Sequence, residues 1–218
     1  MAISNFKPVW LGQCIGKYQV PWHLWDSINK IYQEKFLKLP LATKQLIGKI
    51  KNEHSLFYQG EKTEKMDKHN VLTHDILMWM REAFDYYLQF VKIPEYALSI
   101  NSIWINEMKS NEYNPIHIHQ GSMFTGLSSV MILKMPKDMG PEHARQEEPM
   151  NGRLHLLGND SGYFCKSEYL PDLQERDFYI FPYDIRHCVY PFTSDVTRRT
   201  LSANVDVKYS PIESRGIV

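Results

Sequence analysis

Two rhythms of apolar and polar residues divide the chain. From about Pro21 to Pro94 the apolar positions fall three and four apart, the period of a helix with one buried face. Asp26 to Leu39 puts Ile28, Ile31, Tyr32 and Phe36 on one stripe, and Pro40 ends it. Thr43 is placed to cap a second helix through Leu46, Ile47 and Ile50. Thr73 caps a third, with Asp75 in the first turn, where a carboxylate meets the positive end of the helix dipole. That third helix, "DILMWMREAFDYYLQFV", carries Ile76, Met80, Ala83, Tyr87 and Val91 along one side, a stripe suited to packing on a sheet. Between these helices, "NEHSLFYQGEKTEKMDKHN" is polar and reads as a solvated loop. His54, His69 and His74 have no partner at ligand spacing, and read as surface or capping histidines.

After Pro94 the period drops to two. "LSINSIWINEM" sets Ile103 and Ile105 on one face and Trp104 and Asn106 on the other. "FTGLSSVMILKMP" is a long strand that ends at Pro136, and "RLHLL", "DFYIFP" and "HCVYPF" are short ones. "TRRTLSANVDVKY" is the last. Residues 137–152 form a polar, proline-containing insertion. Short strands parted by Gly and Pro turns, behind a helical block, predict an α+β protein, a β-sandwich or jelly roll buttressed by helices. A chain of 218 residues can bury one substantial core. A single domain is expected, with residues 1–97 as a mainly helical N-terminal part and residues 98–218 as the β core.

Composition narrows the classes. Lys and Arg balance Asp and Glu at 25 each, so no overall field for nucleic acid stands out. No apolar run approaches membrane-spanning length, and no membrane partner is expected. Cys14, Cys165 and Cys188 are too few and too scattered for a disulfide framework, which points to a reducing cytoplasm. Cys188 follows His187 directly, and reads as a small buried strand residue rather than a reactive thiol.

Candidate chemistry begins in "NEYNPIHIHQGSMF". Residues two apart in an extended segment project to one side, so His117 and His119 can aim both rings at one point. Imidazole suits iron, zinc, copper and nickel, but two neutral rings need a further ligand. His187 follows in the apolar stretch "FYIFPYDIRHCVYPF". A turn at "PFTSD" then returns the chain and brings Arg198 near His187. In the last strand Arg198, Thr200, Ser202 and Asn204 share one face, with Arg199, Leu201 and Ala203 on the other. An inward arginine is costly unless it meets an anion. Three imidazoles, then a guanidinium with a hydroxyl two residues on, are equipment for an anionic, metal-chelating cosubstrate.

These pieces resemble the iron(II)- and 2-oxoglutarate-dependent oxygenases, whose pattern is His-x-Asp/Glu, a distal His, then Arg-x-Ser. The similarity is greatest to the members found in bacteriophages and bacteria, with "PxHxHxG" before a strand and "FP…H.V.PF…RR…S.N" near the end. The matching stretches here are "NPIHIHQG", "FPYDIRHCVYPF" and "RRTLSANVDV", and the resemblance spans Ile103 to Val207. It implies a double-stranded β-helix, a jelly-roll or cupin-like fold, with a metal in its mouth. His117 and His119 would be the proximal catalytic metal ligands and His187 the distal one. Arg198 and Thr200 would bind the far carboxylate of 2-oxoglutarate. The resemblance further implies Fe(II), 2-oxoglutarate and O2, decarboxylation to succinate, and hydroxylation of a substrate C–H bond. That substrate, a small molecule or a protein side chain, is left open, and a phage-encoded chain would act in the host cytoplasm.

One departure stands out. The usual facial triad has two histidines and a carboxylate, and His119 sits where the carboxylate would be. All three histidines could hold the iron, or a carboxylate from elsewhere, Asp184 or Glu112, could complete the set. His155 is a further substitute. A three-histidine dioxygenase independent of 2-oxoglutarate and a non-enzymatic jelly-roll or virion module are the alternatives. Around the site, Asn106, Asn114, Tyr183, Tyr190, Ser128 and Ser129 are lesser candidates for polar contacts. Trp104 and Phe124 could form an apolar wall, and residues 52–70 and 137–152 could form lids.

Overall fold

The computed structural model describes residues 12–42, 47–58, 71–142, 147–159, 162–163 and 165–209. Helix α1 spans Trp22–Lys35, enters directly behind Pro21 and buries Leu24, Ile28 and Tyr32. A single 3-10 turn, Phe36–Lys38, follows it. Helix α2 spans His74–Phe90 and buries Ile76, Met80, Ala83, Phe84, Tyr87 and Leu88. Thr73 takes the cap position as expected, although its hydroxyl makes no capping bond.

The strands are β1 (Gly16–Gln19), β2 (Asn52–Tyr58), β3 (Tyr96–Met108), β4 (Asn114–His117), β5 (Gly126–Lys134), β6 (Leu154–Leu157), β7 (Glu168–Tyr169), β8 (Asp177–Pro182), β9 (Arg186–Val189) and β10 (Arg198–Tyr209). They form a six-stranded sheet, β1-β8-β5-β10-β3-β2, and a four-stranded sheet, β4-β9-β6-β7. Every named strand pair is antiparallel. After β3 the chain alternates between the sheets except where β6 and β7 follow each other in the small one, which is how a double-stranded β-helix is wound. The predicted α+β jelly roll is the observed fold.

Period-two alternation makes each strand of the large sheet two-faced. Ile103, Ile105, Met131, Phe178, Ile180, Leu201, Ala203 and Val205 pack outward against α1 and α2 in one apolar cluster. Val130, Ile132, Tyr179 and Phe181 face inward and meet Leu154, Leu156 and Val189 of the small sheet in a second. The helices therefore brace the back of the large sheet, and the gap between the sheets is left for chemistry.

Two expectations fail here. The segment 52–70 is not all loop, because Asn52–Tyr58 pairs along β3 as an edge strand. His54, on that strand, is buried beside Tyr32 and Phe36 rather than at the surface. The proposed helix from Thr43 to Ile50 is absent where it can be seen. Gly48 adopts φ +121°, which no helix allows, and Lys49 instead forms a bridge with Tyr113. Thr43, Leu46 and His69 lie outside the described residues.

Candidate metal centre

Pairing of β4 with β9 sets His117 directly opposite His187. Beyond β4 the backbone turns inward, where His119 N donates to Tyr183 O at 3.0 Å, and this aims the His119 ring at the other two. The ring centroids lie 4.3 Å (His117–His187), 4.9 Å (His119–His187) and 5.1 Å (His117–His119) apart. One nitrogen from each ring falls within 4.8 Å of the others, a cluster able to hold a metal ion. His119 Nε2 and His187 Nε2 are 3.1 Å apart.

Two of these rings have their protons placed by the backbone. Pro115 O accepts from His117 Nδ1 at 2.7 Å, and Ile185 O accepts from His187 Nδ1 at 3.0 Å. Each bond keeps the proton on Nδ1 and leaves the Nε2 lone pair for a metal. The third ring answers to a side chain. Asn204 Nδ2 lies 3.4 Å from His119 Nδ1, and Ser128 Oγ donates to Asn204 Oδ1 at 3.0 Å. With the amide turned over, Asn204 Oδ1 accepts from Nδ1–H and frees His119 Nε2; Ser128 can donate or accept, so it serves either orientation.

Electrostatics agree with ligand duty. Burial, and then the charge on His117, hold His187 down to about 3. Burial lowers His117, and burial together with both neighbouring imidazoles keeps His119 well below the usual histidine range. All three are neutral at physiological pH, the form that binds metal.

The loop after His119 is pinned from behind. Asp206 accepts from Ser122 N at 3.1 Å and from Tyr183 Oη at 3.3 Å. Gly121 has no room for a side chain, since a Cβ there would run into Asn101 Nδ2 and Asp206 Oδ1.

A cavity of about 260 Å³ opens from the three rings between the sheets, with Arg198, Thr200, Ser202 and Asn204 in its lining. Arg198 is 2 % exposed, and its Nε and Nη2 find no hydrogen-bond partner. Burial lowers its pKa to about 10, so the guanidinium keeps its charge near neutrality. Three lone pairs converging on one point fit a borderline metal such as iron. Unsatisfied donors on a buried cation fit a carboxylate. The residues present therefore suit both an iron ion and a diacid bridging from it to Arg198.

The other candidates fall elsewhere. Glu112 spends its carboxylate on Lys51 N and Lys109 N, at 3.2 and 2.9 Å. Asp184 is exposed and accepts from Asn159. Among the described residues, no carboxylate belongs to the cluster. His155 pairs in register with Cys188, on the face of β9 opposite His187, and is satisfied by Tyr190 Oη and Glu168 Oε2, both at 3.0 Å. Cys188 is buried there as expected. Tyr190 is thus turned away from the cavity, and Tyr183 is engaged by Asp206. Ser128 acts through Asn204, while Ser129 points outward to Ala203 O. Trp104 lines the cavity; Phe124 is 89 % exposed and does not. The described part of 137–152 lines a separate cavity with residues 171–175. Glu53 of β2 does line the metal cavity, and the sequence reading missed it because its segment looked like loop.

Residues 102–204 match a family model described as "Putative 2OG-Fe(II) oxygenase". Over that span, a little under half of its length, the chain is similar to the 2OG-Fe(II) oxygenases, and the three-histidine cluster lies within it. The oxygenase is thus an enzyme that uses Fe(II), 2-oxoglutarate and O2. No curated protein matches the chain. Solved structures share its fold at low identity. A Pseudomonas putida prolyl-4-hydroxylase is 13 % identical with TM-score 0.56, covering 89 % of this chain and 92 % of its own. A 2OG-Fe(II) oxygenase family oxidoreductase from Burkholderia pseudomallei is 13 % identical with TM-score 0.58, covering 88 % and 84 %. A Trichoplax adhaerens prolyl hydroxylase, solved with a hypoxia inducible factor peptide fragment, is 12 % identical with TM-score 0.55, covering 89 % and 83 %. No helix among the described residues of the oxygenase is long and apolar enough to cross a membrane.

Proposed function

We propose that the oxygenase holds Fe(II) through His117, His119 and His187 and grips the far carboxylate of 2-oxoglutarate through Arg198, with Thr200 beside it. The carrying observation is the fully buried Arg198, whose Nε and Nη2 have no partner in the protein and face the same cavity as the three imidazoles. Bound iron with 2-oxoglutarate and O2 supplies an oxidant for a C–H bond, with succinate and CO2 as the products of the cosubstrate.

The chain's own residues do the rest. Backbone carbonyls at Pro115 and Ile185 hold two imidazoles in the metal-binding tautomer. Asn204 orients the third. Arg198 sets the direction in which the diacid lies, and its charge needs that carboxylate to offset its desolvation. Three neutral ligands leave the site one unit more positive than two histidines and a carboxylate would, which favours a dianionic cosubstrate. A 2-oxoglutarate-independent three-histidine dioxygenase shares the ligand set but gives Arg198 no task.

The primary substrate is a small molecule or a protein side chain. Two of the structural neighbours are prolyl hydroxylases, one of them holding a peptide, which keeps a side-chain substrate in view. The chain acts as one domain, and its free cysteines suit the cytoplasm, of the host if it is phage-encoded.

Anaerobic addition of Fe(II) and 2-oxoglutarate tests the assignment through the weak visible charge-transfer band of the chelate. The band is expected in the native chain, absent in His187→Ala and weakened in Arg198→Ala, with succinate following once oxygen is admitted. Metal binding with no band at all would overturn it.

A further inference from the structure

Beyond the residues assigned to the diacid, the metal cavity has further polar groups in its lining. Glu53 lies on β2 opposite Asn106 of β3, and Asn106 lies opposite Thr200 of β10. Adjacent strands are about 4.8 Å apart, so Glu53 stands about 10 Å across the sheet from the arginine-bearing strand. Glu53 is 3 % exposed and lines the cavity, and no side-chain hydrogen bond or salt bridge to its carboxylate is seen among the described residues. Asn106 is 8 % exposed, and its Oδ1 is likewise without a partner. Asn114 Oδ1, on the facing strand β4, is a third buried acceptor with nothing to accept from, and it lines the same cavity.

Buried polar groups are nearly always paired, and each exception asks for a reason. Two buried amide oxygens without a partner, Asn106 Oδ1 and Asn114 Oδ1, line one cavity together with the carboxylate of Glu53. The segment over that edge is built close. Gly48 passes Asn114 at φ +121°, and a Cβ there would run into the Asn114 amide. The cavity is therefore bipolar. Arg198 offers unpaired N–H groups on β10, Glu53 offers a carboxylate two strands away on β2, and the unpaired oxygens of Asn106 on β3 and of Asn114 on the facing strand lie in the same lining.

We propose that Glu53, Asn106 and Asn114 form the subsite for the primary substrate, and that this subsite takes a cationic nitrogen, an ammonium or guanidinium group. This rests on the oxygenase reading of the cavity. A carboxylate flanked by two amide oxygens without partners favours donors, and a cation gains most from it. The opposite signs of the two ends also keep the ligands from exchanging places. A dianion is repelled from Glu53, and a cation is repelled from Arg198.

The state of Glu53 fits a group waiting for a cation. Burial pushes its carboxyl up to about 7, and the charge on Glu112 adds to this. Glu112 is itself committed to the Lys51 and Lys109 amides. Arg198, across the cavity, is the other charged group in the lining.

The test uses the full chain with Zn(II) and 2-oxoglutarate bound, and three probes of one carbon skeleton: 1-pentylammonium, 1-pentanol and pentanoate. Ligand-observed NMR at millimolar concentration reads their affinities. The ammonium is expected to bind about tenfold tighter than the alcohol, the ratio a single charge-assisted hydrogen bond supplies, with pentanoate weakest. Glu53→Gln, nearly isosteric, should bring the ammonium and the alcohol close to parity. Asn106→Asp, which adds a carboxylate, should widen the gap, and circular-dichroism melts establish that both variants are folded. Equal binding of ammonium and alcohol to the native chain, tighter binding of pentanoate, no binding of the ammonium, or an unchanged preference in folded Glu53→Gln would each overturn the assignment. Calorimetry separates this from the underlying reading. Failure of the Zn(II) protein to bind 2-oxoglutarate sinks the oxygenase assignment of the cavity, whereas 2-oxoglutarate uptake without an ammonium preference sinks only the cationic subsite.

Discussion

Strand β10 carries two proteins' worth of chemistry on its two faces. Leu201, Ala203, Val205 and Val207 lie on one side, packed under the helices. Arg198, Thr200, Ser202, Asn204 and Asp206 lie on the other, turned toward the small sheet. Burial does not distinguish them, since every one of these residues is at most 8 % exposed. What differs is satisfaction. The apolar side closes on matching carbon and needs nothing further. The polar side keeps a guanidinium with open donors, and across the same inner face of the sheet an asparagine with an open acceptor. The helix-facing side thus stabilises the fold that the cavity-facing side strains, and a strand anchored on one face can hold reactive groups rigidly on the other.

The sharpest way to break this contrast is His187→Ala. Removing one of three ligands is expected to abolish iron binding, measured by metal titration, and with it succinate formation. The melting temperature of the metal-free protein should move little by comparison.

Arg198→Met comes next, and it should move function and stability in opposite directions. Affinity for 2-oxoglutarate is expected to fall by the roughly 3–5 kcal/mol typical of a buried pair losing one partner. The ligand-free protein should gain stability, on the order of 1 kcal/mol or more, because an unpaired buried charge is replaced by methionine of similar volume. Calorimetric titration and denaturant unfolding read the two effects, and a destabilised Arg198→Met would remove the claim of strain.

Leu201→Ala probes the opposite face of the same strand. It should cost about 2–5 kcal/mol of stability as a fully buried leucine leaves a cavity. In the folded variant, iron and 2-oxoglutarate affinities should be unchanged.

The smallest expected effect is on acid stability. The folded protein keeps His187 neutral down to about 3, against an ordinary value of 6.5. Between those values the unfolded chain binds the extra proton, so stability is full above 6.5 and falls as pH drops toward 3. In metal-free protein, His187→Phe should flatten that part of the denaturation profile, and an unchanged slope would show that the ring is not held neutral.

The two faces also differ in how readily a sequence reveals them. Alternation in "LSINSIWINEM" and "TRRTLSANVDV" marked β3 and β10 through Ile103 and Ile105 in one and Leu201, Ala203, Val205 and Val207 in the other. The histidine trio was legible because His117 and His119 share a side, and His187 sits in an apolar strand that could fold beside them. Strand β2 was hidden for a physical reason. Its buried positions Glu53 and Ser55 are polar, and Glu53 faces a cavity and not a core, so "NEHSLFY" lost the alternation that signals burial. Glu53 was lost with it. The choice among Glu112, Asp184 and His119 for the third position also lay beyond local pattern. What parts Glu112 and Asp184 from the histidine cluster is that Glu112 accepts from two backbone amides and Asp184 turns outward, which only the tertiary arrangement decides.

The placement of Arg198 has an effect on traffic. It is sealed at the inner end of the cavity, while His117, His119 and exposed Ile118 stand nearer the rim. A molecule parked at the imidazoles stands in the way of anything bound for the guanidinium. On the proposed assignment of Arg198, the diacid would enter ahead of the substrate and succinate would leave last.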